Sequence, residues 1–368
     1  MLIAIEEQAV LDRIQTWLKT TIVPQANSLD ADPYALATAM AGLAQLGVFG
    51  LRVPAQWDGL AVSNTAFSLV QEQITRHSGA LAFLQVQAQS AIAMLLKSKN
   101  AALQKTYLPR LSQGEVFWGV GFSHLRRPGS PLLQALPVKD GYELTGQIPW
   151  LTGAGCFEAA IAAAVLPEGQ AVFGRIPLAN AQQAAGGTIR ISPPFRLATM
   201  TSTQTVRAQL EGWLVADPDL VDLQPAGWID HNDRQNVLKS TWLTLGCAGA
   251  SLDAIAHYLQ QKPLDFIAEA LSKLSQEVED CRQQIWRSQQ QTVSDPDLFK
   301  QQLQLRAWSI DLAVRSAHAA VTIVGGAAND LNHPAQRIYR EALMFTVSGE
   351  TPKIMSAILK RLTSRILI

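Results

Sequence analysis

Cysteine is scarce: Cys156, Cys247 and Cys281 are the three in 368 residues, and their spacing matches neither a disulfide framework nor a zinc site. Charge is scarce as well. Asp, Glu, Lys and Arg make up 16% of the chain, below the usual quarter. With 30 basic and 30 acidic residues the formal charge is zero, which leaves no basic excess for nucleic-acid phosphates. No apolar run reaches the roughly 18 residues of a membrane span. Glu6 and Glu7 replace the basic start of a signal peptide. None of the six histidines stands in a Ser or Cys nucleophile context, and the G-x-S-x-G elbow, H-E-x-x-H, E-x-x-H, the P-loop and G-x-G-x-x-G are all missing. Common hydrolase, metalloenzyme and dinucleotide-fold readings lose support, and no metal is expected.

What is present is apolar residue, 48% of the chain, enough for a large core divided over two or three domains. The composition reads as a cytoplasmic protein with a tendency to self-associate.

The periodicity changes twice. Helices are predicted at Ile5 to Leu18, Tyr34 to Leu46, Ser63 to Arg76, Ala80 to Lys99 and Ala101 to Leu111. From Val116 to about Ala226 proline and glycine recur and helical spacing disappears. Candidate strands are Val116–Ser123, Gly141–Thr145, Ala159–Val165, Ala171–Ile176 and Thr205–Val215. After Asp230 helices return. Leu238, Trp242, Leu245, Gly249, Leu252, Ala256 and Leu259 alternate spacings of four and three, the seam of a helix bundle. Further helices are expected from about Pro296 to Val324, from Pro334 to about Phe345, and from Thr351-Pro352 onward. The reading is an α+β multidomain chain: a helical domain over 1–114, a mostly antiparallel β domain over 115–229 and a four-helix bundle over 230–368.

Four segments carry more than fold. They are Leu46-Gly-Val-Phe-Gly-Leu-Arg-Val-Pro54 with Trp57-Asp-Gly-Leu60; Phe122-Ser-His-Leu-Arg-Arg-Pro-Gly-Ser130 with Trp150-Leu-Thr-Gly153; Gly246-Cys-Ala-Gly249; and Ile323-Val-Gly-Gly326 with Pro334-Ala-Gln-Arg-Ile-Tyr-Arg-Glu-Ala342 and Ser348-Gly-Glu-Thr-Pro352. In this order and spacing they resemble the acyl-CoA dehydrogenase family over essentially the whole chain. The resemblance implies the same α–β–α order, FAD bound between the β domain and the bundle, a small-molecule substrate such as an acyl-CoA, and a homodimer or homotetramer.

Residue by residue, the resemblance assigns Ser123, Gly129 and Ser130 to the family's flavin- and substrate-contacting turn. Arg126 and Arg127 make that turn basic, which suits an anionic part of substrate or cofactor; two solvated loop arginines account for them equally well. Trp150 and Thr152 match the Trp-x-Thr that flanks the isoalloxazine and donates near its N5. Gly325 and Gly326 match the pair set against the FAD pyrophosphate, with Thr322 where relatives often have glutamine. Arg340 matches a residue that maintains the fold.

Two positions depart from the pattern. An ungapped match places Ser240 where relatives carry an FAD-contacting arginine, with Lys239 beside it as a point charge. A second match, anchored on Arg340 and Thr351, puts Gly349 at the position of the catalytic glutamate and Glu350 one residue later, about 3.8 Å along the chain. Glu350 is the expected base, although a carboxylate before a Thr-Pro helix start is also explained by the helix dipole. His124 is the other ionisable candidate. The expected activity is α,β-oxidation of an acyl thioester, with an electron acceptor as partner. The alternatives are a flavin monooxygenase of the same fold, fed by a flavin reductase, and a non-catalytic relative that binds a ligand.

Overall fold

The computed structural model describes residues 4–291 and 296–364. Six helices come first: α1 (Ile5–Trp17), α2 (Ala26–Ala31), α3 (Pro33–Gln45), α4 (Asn64–His77), α5 (Gly79–Leu95) and α6 (Ala101–Ser112). Side chains satisfy free N–H groups at the starts of α3, α4, α5 and α6, as helix ends require. The Asp32 carboxylate accepts from Tyr34 N at 2.8 Å, Ser63 Oγ from Ala66 N at 3.1 Å, Ser78 Oγ from Leu81 N at 3.2 Å and Asn100 Oδ1 from Leu103 N at 3.0 Å. Helix α5 is buried around most of its circumference (Ala80, Leu81, Phe83, Leu84, Ala88, Ile92), as a helix apolar on every side must be. It ends at Leu95, short of Lys99, because Lys97 N and Ser98 N turn back to the carbonyls of Met94 and Leu95.

The middle of the chain forms β1 (Trp118–Gly121), β2 (Leu133–Val138), β3 (Gly141–Leu151), β4 (Ala159–Val165), β5 (Ala171–Pro177), β6 (Ala181–Gln182), β7 (Thr188–Ile191), β8 (Val206–Ala216) and β9 (Leu220–Gln224). The main path runs β6-β7-β8-β3-β2-β4-β5-β9, and its pairings are antiparallel except β2 with β4. Strand β1 adds to β4 in parallel, Trp118 opposite Ala159 through Gly121 opposite Ala162. Strands β2, β6, β7 and β9 were not legible in the sequence, and β3 continues six residues past Thr145.

Helix α7 (Trp228–Gln235) leads into α8 (Thr241–Gln261), α9 (Asp265–Gln289), α10 (Pro296–Val324), α11 (Pro334–Val347) and α12 (Pro352–Thr363). Pro334 and Pro352 open the last two helices, where a missing N–H costs nothing. Helix α8 lies hard against α4: a Cβ on Gly246 would sit 2.4 Å from the Glu72 carbonyl oxygen, so glycine sets that approach. Among the described residues no helix is long and apolar enough to cross a membrane.

Candidate functional site

The end of β3 is shaped by a bulge. Its register against β8 shifts between Ile148 and Leu151, around Pro149, which has no N–H to give to a ladder. The irregularity leaves Trp150 47% exposed, its ring edge-on to Phe195 with centroids 5.0 Å apart. Thr152 is buried two residues on, its hydroxyl 3.0 Å from that of Thr205. The segment Thr199 to Thr205 completes this corner. Gly153 N donates to Thr203 O and Ala154 N to Gln204 O, while Met200 and Gln204 hold left-handed backbone conformations. Asp30 braces the segment from α2 by accepting from Thr199 Oγ1 at 2.9 Å and Met200 N at 2.6 Å. Thr203 and Thr205 are site residues that sequence reasoning missed. Their signal was the run Thr199-Met-Thr-Ser-Thr-Gln-Thr205, with threonine at every second position, although Thr201–Thr203 fold as a 3₁₀ turn rather than a strand.

The turn after β1 is built around a gap in the sheet. Strand β4 pairs with β1 up to Ala162 and with β2 at Val165. The Ala163 carbonyl falls between, and His124 Nε2 reaches it at 2.9 Å. Since a carbonyl only accepts, Nε2 carries the proton and Nδ1 presents a lone pair. Burial, with Arg127 nearby, pushes the His124 pKa below its ordinary value, so the ring is neutral at pH 7. Arg126 forms a two-pronged ion pair with Asp233 of α7, both bonds 2.7 Å, which ties the turn to the bundle side. Arg127, Gly129 and Ser130 are exposed, as is Ser123; Gly129 has φ +95° and open space where a Cβ would stand.

Lys239, Ser240, Gly349 and Glu350 belong to the bundle side. Gly349 has φ +66°, and a Cβ there would meet Ser240 Oγ at 3.8 Å. The two positions at which the family pattern departs therefore face each other. Glu350 follows, half-buried. Arg306 of α10 is 1% exposed and donates to Ser348 O at 3.1 Å; its Nε and Nη1 have no partner among the described residues. Burial lowers its pKa to about 10, so it stays charged. Lys239 is open to solvent on one side, yet desolvation on the other, with the charges of Arg52 and Lys97, brings its pKa down to about 8. Gly325 and Gly326 open a short 3₁₀ turn after α10, exposed and with free space around each. Thr322, one turn earlier, donates to His318 O at 2.8 Å.

No group of three or more His, Cys, Asp or Glu that could hold a metal occurs among the described residues. The structure thus builds three local arrangements: the Trp150–Thr152 corner, the turn around His124 and the Ser240–Gly349 contact.

The profile described as "Acyl-CoA dehydrogenase, N-terminal domain" matches residues 5–115. The "Probable acyl-CoA dehydrogenase YngJ" of Bacillus subtilis is 20% identical over 370 residues, covering 97% of each chain. The (2S)-methylsuccinyl-CoA dehydrogenase of Cereibacter sphaeroides is 27% identical over 154 residues, 40% of this chain and 28% of that one. The butyryl-CoA dehydrogenase structure from Megasphaera elsdenii superposes with a TM-score of 0.81 over 99% of both chains at 15% identity. A helical start that fits the family profile, a relative matched end to end and a shared α–β–α fold point the same way: residues 5–115 match the N-terminal domain of the acyl-CoA dehydrogenase family, and the whole chain is similar to its members.

Proposed function

We propose that the protein is an FAD-dependent oxidoreductase that oxidises an acyl thioester at its α and β carbons. The observation that carries the reading is the β3 end, in a chain similar to this family. A bulge exposes one face of Trp150 beside a buried Thr152–Thr205 hydroxyl pair, an apolar wall with a donor set into it. That corner fits a flavin ring, and the open backbone at Gly129, Gly325 and Gly326 fits close approach by phosphates. Trp150, Thr152 and Ser130 would hold the ring, and Gly325 and Gly326 the pyrophosphate, with Thr322 one turn before them; Lys239, before α8, would add a point charge. When bound, FAD supplies a hydride acceptor.

The chain's own part is to orient the acyl group and take its α-proton. Glu350 receives that proton on a carboxylate oxygen in this reading. The left-handed turn at Gly349 lets the following residue be redirected toward the space beside Ser240. The half-buried setting keeps Glu350 within reach of both solvent and site.

A second reading, a flavin monooxygenase working with a separate reductase, is favoured by one observation: glycine and serine, rather than a carboxylate, meet at the family's base position. A homodimer or homotetramer is supported by exposed apolar stripes, Tyr339, Leu343 and Val347 on α11 and Met355, Leu359 and Leu362 on α12.

The test is the visible spectrum of the purified protein with FAD, followed without oxygen during addition of acyl-CoAs. Bleaching that falls by about 10²-fold or more in Glu350→Gln supports the dehydrogenase. Flavin that stays oxidised with acyl-CoA but consumes oxygen once chemically reduced supports the monooxygenase. Failure to bind flavin in any state refutes both.

A further inference from the structure

Ser348, Gly349, Glu350 and Thr351 join α11 to α12, and both ends of the stretch are tied down. Ser348 N donates to Met344 O at 3.0 Å, and Thr351 Oγ1 accepts from Ile354 N at 3.3 Å. Gly349 and Glu350 lie between, with Gly349 left-handed. Among the described residues one side chain from outside the two helices bonds to this stretch. Arg306 of α10 donates from Nη2 to Ser348 O at 3.1 Å. The backbone of Arg306 is fixed in turn. Ser309 Oγ donates to Arg306 O at 2.9 Å and stands 2.9 Å from the hydroxyl of Thr244, one turn after Ser240 on α8. Ser240 also faces Gly349, so the contacts close into a ring from α8 through α10 and the end of α11 back to α8.

Leu305, Ala307 and Ile310 beside Arg306 belong to an apolar core, which an apolar side chain would suit. A buried guanidinium whose Nε and Nη1 have no partner among the described residues is costly there. Ser348 caps the C-terminus of α11, and the negative end of that helix offsets part of the cost. What the charge holds in return is the Ser348 carbonyl, one residue before Gly349 and two before Glu350.

We infer that Arg306 is a positioning residue for Glu350: by holding the Ser348 carbonyl against α10, it fixes the direction in which the left-handed Gly349 sends the Glu350 side chain. Arg306 itself touches no reacting atom. The inference rests on Glu350 taking the α-proton, and the experiment separates the two.

The full chain is compared with Arg306→Met, Arg306→Lys and Glu350→Gln. Hydrogen exchange at the Gly349 and Glu350 amides reads the turn, urea denaturation reads the fold, and anaerobic bleaching of bound FAD by straight-chain acyl-CoAs from butyryl to palmitoyl reads the chemistry. In Arg306→Met the two amides should exchange about tenfold faster. The urea midpoint should hold or rise, because an unpaired buried charge is gone. Bleaching at saturating acyl-CoA should slow by about 10²-fold while the half-saturating concentration stays the same. Arg306→Lys, which keeps a donor and the charge, should recover most of the rate. Where Arg306→Met fails to fold, Arg306→Gln, which ends two bonds short of Nη2, should give the same changes. Unchanged exchange overturns the inference alone, as does a lower urea midpoint with the bleaching rate kept, which would make Arg306 only a cap of α11. A parent that none of the acyl-CoAs bleaches, or bleaching left intact in Glu350→Gln, overturns the reading of Glu350 and the inference with it.

Discussion

Two charged regions of the molecule are built on opposite plans. Where α2, α5 and α11 meet, each charge has an opposite one. Arg337 bonds Glu341 and Asn27, each at 2.9 Å, Arg340 bonds Asp30 at 2.9 Å, and Gly79 N at the start of α5 donates to Glu341 at 3.1 Å. Around Gly349 the plan is reversed. Arg306 is buried against a backbone carbonyl with no carboxylate partner among the described residues, and Lys239 is lowered in pKa by desolvation and, behind it, by two further cations. The first region joins the helical start of the chain to its end, and its residues read as scaffold. The second is where the chain departs from the family pattern. Paired charge marks what holds the fold, and unpaired positive charge marks the surroundings of the proposed chemistry.

The largest expected effect breaks the paired region. Arg337→Ala leaves Glu341 buried without its partner and should cost about 3–5 kcal/mol in urea denaturation. Glu341→Gln sharpens the same point through pH. Burial, against the pull of Arg337, raises the Glu341 pKa. The folded state then holds that proton more tightly than the unfolded chain. Stability should fall as pH rises from the ordinary carboxyl range through the raised value, and the Gln variant should lose that slope. An unchanged slope would mean that Glu341 titrates alike in the folded and unfolded chain, and a parent slope of opposite sign would mean that the ion pair outweighs burial.

Next in size is the β3 corner. Thr152→Val removes the hydroxyl that faces Thr205 and leaves Thr205 Oγ1 only its longer contact with Thr203 Oγ1 at 3.5 Å, a loss of about 1 kcal/mol. Thr152→Ser should restore stability. If the corner holds flavin, the Val variant should also lose flavin on gel filtration while the Ser variant keeps it. A Val variant as stable as the parent would show that Thr205 finds another partner.

How far these regions were legible in the sequence follows from their physics. The helices announced themselves through Ser63, Thr351-Pro352 and a three-four seam, because a helix is satisfied by neighbours four residues away. The short strands β6, β7 and β9 were not legible, since their partners are distant and their patterns too brief. Trp150 and Thr152 were named from the family pattern, whereas Thr205 was not, because its role exists only once β8 lies beside β3. Arg126 was read as a basic loop residue with a possible ligand; its pairing with Asp233 spans more than a hundred residues and no local spacing encodes it. The same holds for Gly349 and Ser240, which the alignment flagged separately and the fold brings face to face.

A substitution at that contact tests whether the missing carboxylate matters. Gly349→Glu should cost about 1 kcal/mol, because a side chain is placed on a left-handed backbone. The space accommodates it, with Ser240 Oγ 3.8 Å from the new Cβ. In the anaerobic acyl-CoA assay the variant should bleach flavin faster than the parent. A stability cost without a rate gain would show that proton removal is not what this chain lacks.

The smallest effect belongs to Lys239. Its folded pKa of about 8 lies below the value of about 10.5 for a free lysine. Between those values the folded state binds fewer protons than the unfolded chain, so stability rises with pH through the window, and below pH 8 the full penalty of the charge is present. Lys239→Met should therefore be as stable as the parent at pH 7 or slightly more so, and the difference should shrink between pH 8 and about 10.5. Added salt should reduce it too, since the charge is open to solvent on one side. A clear loss of stability at pH 7, in the direction expected for Arg337→Ala, would mean that Lys239 has a structural partner after all, and the contrast between the paired and unpaired regions would fail at the residue that best represents it.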